Sequence, residues 1–547
     1  MKRFLLTLLC AVLLLGLLAG CTQGATTTAT TKPVQTSGST TTTTAGTTTQ
    51  PDIRYEISYF SFWVGELDDG SPVEKIIEDA LNIDIKVKKV NHANAEAVNL
   101  MLSSGEMPDC GWFSGKDPQF MYYEQELSRA IPRSMVEQYA PDFVAEYDKS
   151  PILWAYALDK DDNQSLLCMP GKTETYTNLY LWADFYRYDW LKAAGVDLGV
   201  STTKISDNLY LADAGIKLDA WTAALTAFVS QGKIGAVSFD AQLLAPAFDL
   251  NWNQSVDIDG KTVMYYTTDT YKAFLKAMAA RYQQGLFDQE ILTQNRNAAW
   301  EKINAGNAGY FASSTNTLNS WAIDRPPLTL FEKEPAVELL MTPGLANQAG
   351  QYGVVSFTSP MYSNFYVNAT VTDEGKLARI LEFIQYANFG ETLASHWMGE
   401  EGIDWSYDSS GAPKKIAPLM AGVKGTQAFC LFMQVRDAWE WLTFEPLFTK
   451  GAGHYVASYN GIWNKHLRTP GRIDPLNETN LAAVNAEVGG NLNSVRSTYY
   501  QDAILGLIDV DATWDRYLAD LNTAGYARYL TELSKAPTYT ELLARYE

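Results

Sequence analysis

Between Ile83 and Phe113 the chain reads as strand, helix, turn and strand, an order that few folds accommodate. Ile83 to Val90 alternates apolar and polar residues, as a half-buried strand does. Val98, Met101 and Leu102 then recur at helical spacing with no breaker among them. Gly105 supplies the left-handed residue that commonly ends a helix, and Pro108 prevents its resumption. Cys110 to Phe113 reads as a short buried strand. Upstream, Tyr55 to Trp63 reads as a first strand and Pro72 to Leu81 as a proline-started helix, so this part of the chain opens β-α-β-α-β. Such units wind right-handed with parallel strands, and ligands of open α/β sheets bind beyond the strands' carboxyl ends. Trp63, Asn91 and Trp112 stand at or just past those ends.

A targeting segment precedes this region. Lys2 and Arg3 lead an apolar run from Phe4 to Leu18, and Leu18-Ala19-Gly20-Cys21 closes it. The pattern predicts signal cleavage before Cys21 and lipidation of its thiol. The run is short for a membrane span. Thr22 to Gln50 is almost entirely Thr, Ser, Ala and Gly, with too little apolar surface to offset chain entropy, and reads as a disordered tether.

The rest is too long for one hydrophobic core, so two or more lobes are expected. A formal net charge of −21 opposes nucleic-acid binding. Past Cys10 and Cys21 only Cys110, Cys168 and Cys430 remain, enough for one disulfide at most. There is no Gly-x-Ser-x-Gly, His-Glu-x-x-His or Walker loop. Ser201-Thr202-Thr203-Lys204 matches Ser-x-x-Lys, but without its partner motifs it reads as coincidence. His92, His396, His454 and His466 lack metal-ligand spacing.

The stretch Asn-Leu-Met-Leu-Ser-Ser-Gly-Glu-Met-Pro-Asp-Cys (99–110) resembles the signature of bacterial extracellular solute-binding proteins of family 1. Similar passages follow in order along residues 55–547. They include Arg187-Tyr188-Asp189-Trp190-Leu191, the long match from Asp249 to Phe311, the turn containing Gly399, Gly402, Asp404 and Trp405, and the closing helix with Trp514, Leu518 and Leu521. The resemblance implies an α/β, two-lobed periplasmic-binding-protein-like fold of type II, with lobes joined by a multi-crossing hinge around a ligand cleft. It implies a monomer that delivers a carbohydrate, expected to be an oligosaccharide, to ABC transporter permease subunits. Such a protein is held at the extracellular face of the membrane by its lipid anchor only. An extracellular polysaccharide-processing enzyme, or a non-transporting surface sensor or adhesin, stays open as an alternative.

The expected layout is a signal peptide (1–20), a tether (21–50), a first lobe (51–178 and 352–440) and a second lobe (179–351 and 441–547). The first crossing is placed near Tyr180 to Tyr186 and the return near Tyr352 to Asn368. Many family members carry an Asp/Asn/Gly-rich loop with calcium-ligand spacing. Here Ser201 to Lys217 is a polar insertion and no such run follows, so no calcium site, other metal or cofactor is expected. Asp189 is expected to cap a helix, and Trp190 to lie in the core.

Aromatic residues near predicted strand ends suit a sugar, whose CH faces stack on rings while acids, amides and Arg bond its hydroxyls. The expected ligand-binding set is Trp63 and Trp112 from the first lobe, Tyr180 and Trp182 on the crossing, Trp252 and Trp321 from the second lobe, and Tyr362 and Arg187. An ion pair is an equal alternative for Arg187. No catalytic residue is assigned.

Overall fold

The computed structural model describes residues 53–546, apart from 63, 65–66, 68, 93, 115–120, 160, 174–181, 239–242, 251–254, 315–325, 353–354, 357–360, 390–400, 404, 408–412, 416–427, 430–432, 435–466, 469–470 and 473–478. Strands Tyr55–Phe60 (β1), Ile83–Val87 (β2) and Cys110–Ser114 (β3) are parallel, with helices Pro72–Leu81 and Ala95–Ser103 in the crossovers. Ser71 and Asn94 cap these helices, accepting from the backbone N–H of Glu74 and Ala97. Val98, Met101 and Leu102 are buried, and Gly105 takes a φ of +73°, as their spacing predicts.

Met169–Thr173 (β4) joins the same sheet, after which the chain passes to another. That second sheet holds Trp182–Arg187 (β5), Thr202–Lys204 (β6), Leu209–Ala212 (β7), Ile234–Val237 (β8), Ala308–Ser314 (β9) and Leu339–Thr342 (β10). Met361–Val367 (β11) and Met433–Gln434 (β12) return to the first. The strand orders are β2-β1-β3-β11-β4-β12 and β8-β9-β5-β10-β7-β6. Each sheet contains one central strand that enters from the other lobe and runs against its neighbours. In lobe 1 β11 is antiparallel to β3 and β4, and in lobe 2 β5 is antiparallel to β9 and β10. The fold is therefore α/β with two lobes.

Lobe 1 is centred on Tyr59, which meets Phe383 edge-on and stacks on Phe429, and on Trp112 beside Phe143 and Phe365. In lobe 2 one sheet face carries the stacked pair Phe185 and Phe311. The other packs on Leu218–Ser230 through Trp221, Leu225 and Phe228, and on Asp269–Gln283 through Phe274 and Met278. Helices Leu481–Ile504, Val510–Thr523 and Tyr526–Leu533 complete that core, burying Trp514 and Leu521. The last helix, Tyr539–Leu543, departs from the expected assignment of 441–547 to the second lobe. Its Leu542 is fully buried in the lobe 1 core, where this helix packs on the helix Ile152–Ala157. Among the described residues no helix is long and apolar enough to cross a membrane.

Candidate ligand-binding edges

Strand direction decides which residues can meet a ligand. In lobe 1 the carboxyl ends of β1, β3 and β4 share one edge with the amino end of β11, since Ser114 pairs with Ser363 and Lys172 with Met361. In lobe 2 the carboxyl ends of β8, β9, β10 and β7 share an edge with the amino end of β5, since Ser314 pairs with Trp182 and Thr342 with Asp184. β4 ends at the lobe 1 edge, and the next strand along the chain, β5, begins at the lobe 2 edge.

The lobe 1 edge carries a buried ion pair. Lys172 Nζ lies 2.7 Å from Glu146, and Lys149 bonds the other Glu146 oxygen at 2.5 Å. Burial pushes the Glu146 carboxyl up, but the bonds from Lys149 and Lys172 outweigh it and hold it below its ordinary value. On the same edge the hydroxyls of Ser61 and Ser363, both on residues with no exposed surface, have no hydrogen-bond partner.

At the lobe 2 edge the buried polar residues are Ser238, Ser313, Thr342, Asn347 and Asp184. Asn347 donates to Asp249 at 2.8 Å and accepts from the Gln351 backbone at 2.9 Å, which fixes the loop after β10. Asp184 was not anticipated. Burial pushes its carboxyl up to about 7, against a hydrogen bond from Tyr310 that favours the charged form. The titratable groups facing it are the hydroxyls of Tyr310 and Tyr186, both pushed well above their ordinary range, first by burial and then by the Asp184 charge. The sequence does hold a signal for this residue. Asp184 interrupts an otherwise apolar strand on the same face as Tyr186, where an unpaired charge is costly.

Two members of the expected ligand-binding set belong elsewhere. Trp112 has no exposed surface; it pairs with Phe365 within the sheet and stacks beside Phe143, two residues short of the end of β3. It is a core residue. Arg187 ends β5, but β5 starts at the shared edge, so Arg187 lies five residues away from it, roughly 17 Å along the strand. Its guanidinium binds both Asp189 oxygens at 3.0 and 2.7 Å, meets Glu334 at 3.0 Å and covers the Trp190 ring at 3.9 Å. The ion-pair reading of Arg187 therefore holds. Asp189, occupied in this way, is inside the first turn of its helix and is not the cap. Trp190 is half-buried between Arg187 and Lys233. Trp182 and Tyr362 occupy the amino ends of β5 and β11, at the two edges. Trp63, Tyr180, Trp252 and Trp321 lie outside the described residues.

A cavity of about 820 Å³ in lobe 2 opens away from this edge, beside Ile234 at the start of β8. Its charges satisfy one another: Lys302 Nζ reaches Asp288 at 2.6 Å, Glu290 at 2.5 Å and Gln294 at 3.0 Å. Among the described residues no group of three or more His, Cys, Asp or Glu is arranged to hold a metal ion.

No family model matches the sequence, and neither does any curated protein. Solved structures do match. The alginate-binding protein AlgQ2 without calcium ion shares 17% identity over 89% of this chain and 98% of its own, with a TM-score of 0.64. The ABC-transporter substrate-binding protein FusA of S. pneumoniae, in complex with kestose, shares 17% over 88% and 98%, with a TM-score of 0.63. An HMO-binding, ABC-transporter-associated solute-binding protein of Bifidobacterium longum infantis shares 13% over 90% and 99%, again at 0.63. At these identities the likeness shows the fold, which this chain shares along nearly the whole length of each neighbour.

Proposed function

We propose that the chain is a member of extracellular solute-binding protein family 1, a lipid-anchored receptor that captures a carbohydrate for an ABC importer. One observation carries the reading. Each lobe's sheet is completed by a strand arriving from the other lobe, so two separate passages of the chain lead to the carboxyl edges, in a fold whose similar structures include carbohydrate-binding transport proteins. Two lobes hinged in this manner close over a ligand. Trp182 and Tyr362 stand at these edges, and with Trp63, Tyr180, Trp252 and Trp321 they are the rings assigned to stack on the sugar. The protein acts as a monomer, performs no chemistry on its ligand and hands it to permease subunits. The anchor is diacylglycerol on Cys21, behind the Thr-rich tether.

A thermal-shift screen of the mature protein against mono- and oligosaccharides tests the ligand class, because a bound sugar raises the melting temperature by mass action. A saturable rise with an oligosaccharide is expected. Stabilisation only by amino acids, peptides or metals sinks the reading. Metabolic labelling with a fatty acid tests the anchor: label on the wild type, lost with release from the membrane fraction in Cys21→Ser.

A further inference from the structure

We infer that the C-terminal helix is a strap that limits how far the two lobes part, and that Arg472 pins its root; this goes beyond the functional reading and stands without it. Helix Tyr526–Leu533 belongs to the lobe 2 core, whereas Tyr539–Leu543 is seated on lobe 1, with Leu542 fully buried and Tyr539, Leu543 and Tyr546 packed against the same core. Only Ser534 to Thr538 separates the two helices. Arg472 fixes the middle of that short link. Its Nη1 donates to the Ala536 carbonyl at 2.9 Å and lies 4.0 Å from Glu541, and its backbone bridges Thr538. Its Nε donates to Thr262 Oγ1 at 2.9 Å, and its backbone N–H donates to Ser255 Oγ at 3.2 Å. Ser255 and Thr262 stand on the two strands of a lobe 2 hairpin, Ser255–Ile258 and Lys261–Met264. Gly471 permits this approach, since an added Cβ would lie 2.4 Å from Ser255 Oγ. A few residues earlier, Leu467–Arg468 pairs in parallel with Val355–Ser356, on the passage that returns to β11. Arg472 therefore sits where the strap, the hairpin and the neighbourhood of the return passage converge. A guanidinium donates through a rigid planar fork, so the strap and the hairpin turn together around it. Without that fork the strap's root parts from the hairpin, and the lobes gain room to separate.

Two measurements on the mature chain, with no ligand added, test this. Spin labels at Leu100→Cys in lobe 1 and Leu507→Cys in lobe 2, both exposed positions, report the distance between the lobes. Cys21→Ser and Cys430→Ser leave only the buried thiols of Cys110 and Cys168 beside them. Arg472→Ala is expected to broaden the distance distribution and shift it to longer values. Hydrogen exchange in the same variant is expected to quicken about tenfold in Tyr539–Leu543 and in its seat, Ile152–Ala157, although Arg472 bonds the lobe 2 hairpin. Thr262→Val removes one hairpin contact and keeps Arg472; it should act in the same direction with a smaller effect, and it carries the test if Arg472→Ala fails to fold. An unchanged distance distribution, or faster exchange confined to the hairpin while Tyr539–Leu543 stays protected, overturns the inference. Sugar binding by the wild type decides the functional reading separately, whichever way these measurements fall.

Discussion

Asp109 clasps Ser58 from across the sheet. Its Oδ2 accepts from both the backbone N–H and the hydroxyl of Ser58 at 2.7 Å, while the same hydroxyl accepts from the Asp109 N–H at 2.8 Å. The other carboxylate oxygen is 2.8 Å from Lys376, on the helix that covers β1. Asn368 adds its own clasp by donating to the carbonyls of Met107 and Pro108. The Pro-Asp of the sequence signature is thus a structural staple at the amino end of β3, away from the ligand edge.

Replacing that staple should cost stability without touching recognition. Asp109→Ala removes two hydrogen bonds to a charged acceptor and a partly buried ion pair, and about 2–4 kcal/mol is expected from urea unfolding. Sugar affinity of the folded fraction should match the wild type. A selective loss of affinity with normal stability would move the signature back into the site.

The two tryptophans nearest the question should behave in opposite ways. Trp112→Ala opens a cavity in the lobe 1 core and should cost about 3–5 kcal/mol, with Trp112→Phe much milder. Trp182→Ala, at the start of β5, should leave the unfolding midpoint nearly unchanged and weaken sugar binding by roughly 1–3 kcal/mol, the scale of a large apolar face. Equal destabilisation by both would mean that Trp182 is also core.

Asp184 makes lobe 2 sensitive to pH. Its folded carboxyl titrates near 7 and its unfolded one near the ordinary 3.8, so between these values the folded chain holds more protons. The cost of ionising it is therefore absent well below pH 3.8, grows as the pH rises past that value and is fully present above 7. Relative to wild type, Asp184→Asn should gain stability as the pH rises from 5 to 8, by a few kcal/mol at most and roughly 1–3 in practice. An Asn-minus-wild-type difference that is flat across this range would show that the carboxyl is solvated.

EDTA should leave the melting temperature of the mature domain unchanged. The polar insertion around β6 and β7 places Lys204 against Asp207, and Asp213 accepts from the Ser201 N–H at 3.0 Å, so these acids already have partners. A drop of several degrees, restored by calcium, would reveal a bound ion.

Local patterning made much of the fold legible. The face formed by Val98, Met101 and Leu102, the face formed by Trp221, Leu225 and Phe228, and the passage to the second sheet before Trp182 all follow from periodicity or family order. The site was harder to read. Trp112 lies close to a strand end, but the pleat turns it toward Phe143, and no periodicity in a four-residue strand reveals how far the strand continues. For Arg187 the ion-pair alternative holds, since the carboxyl-end rule reverses for a strand that enters from the other lobe. Which strand does so depends on pairings nearly 130 residues apart, such as Phe185 with Phe311.

The placement of β11 also orders events in time. Every strand of the second sheet lies between Trp182 and Thr342, so that sheet can pair as soon as its own stretch has emerged. The first sheet cannot. β11 sits between β3 and β4, and its Phe365 meets Trp112 only after some 250 intervening residues have been made. Until then β3 and β4 present open edges, the arrangement most exposed to mispairing during slow, long-range assembly. The second sheet is thus expected to pair before the first, while the lobe 2 core still waits for its closing helices between Leu481 and Leu533.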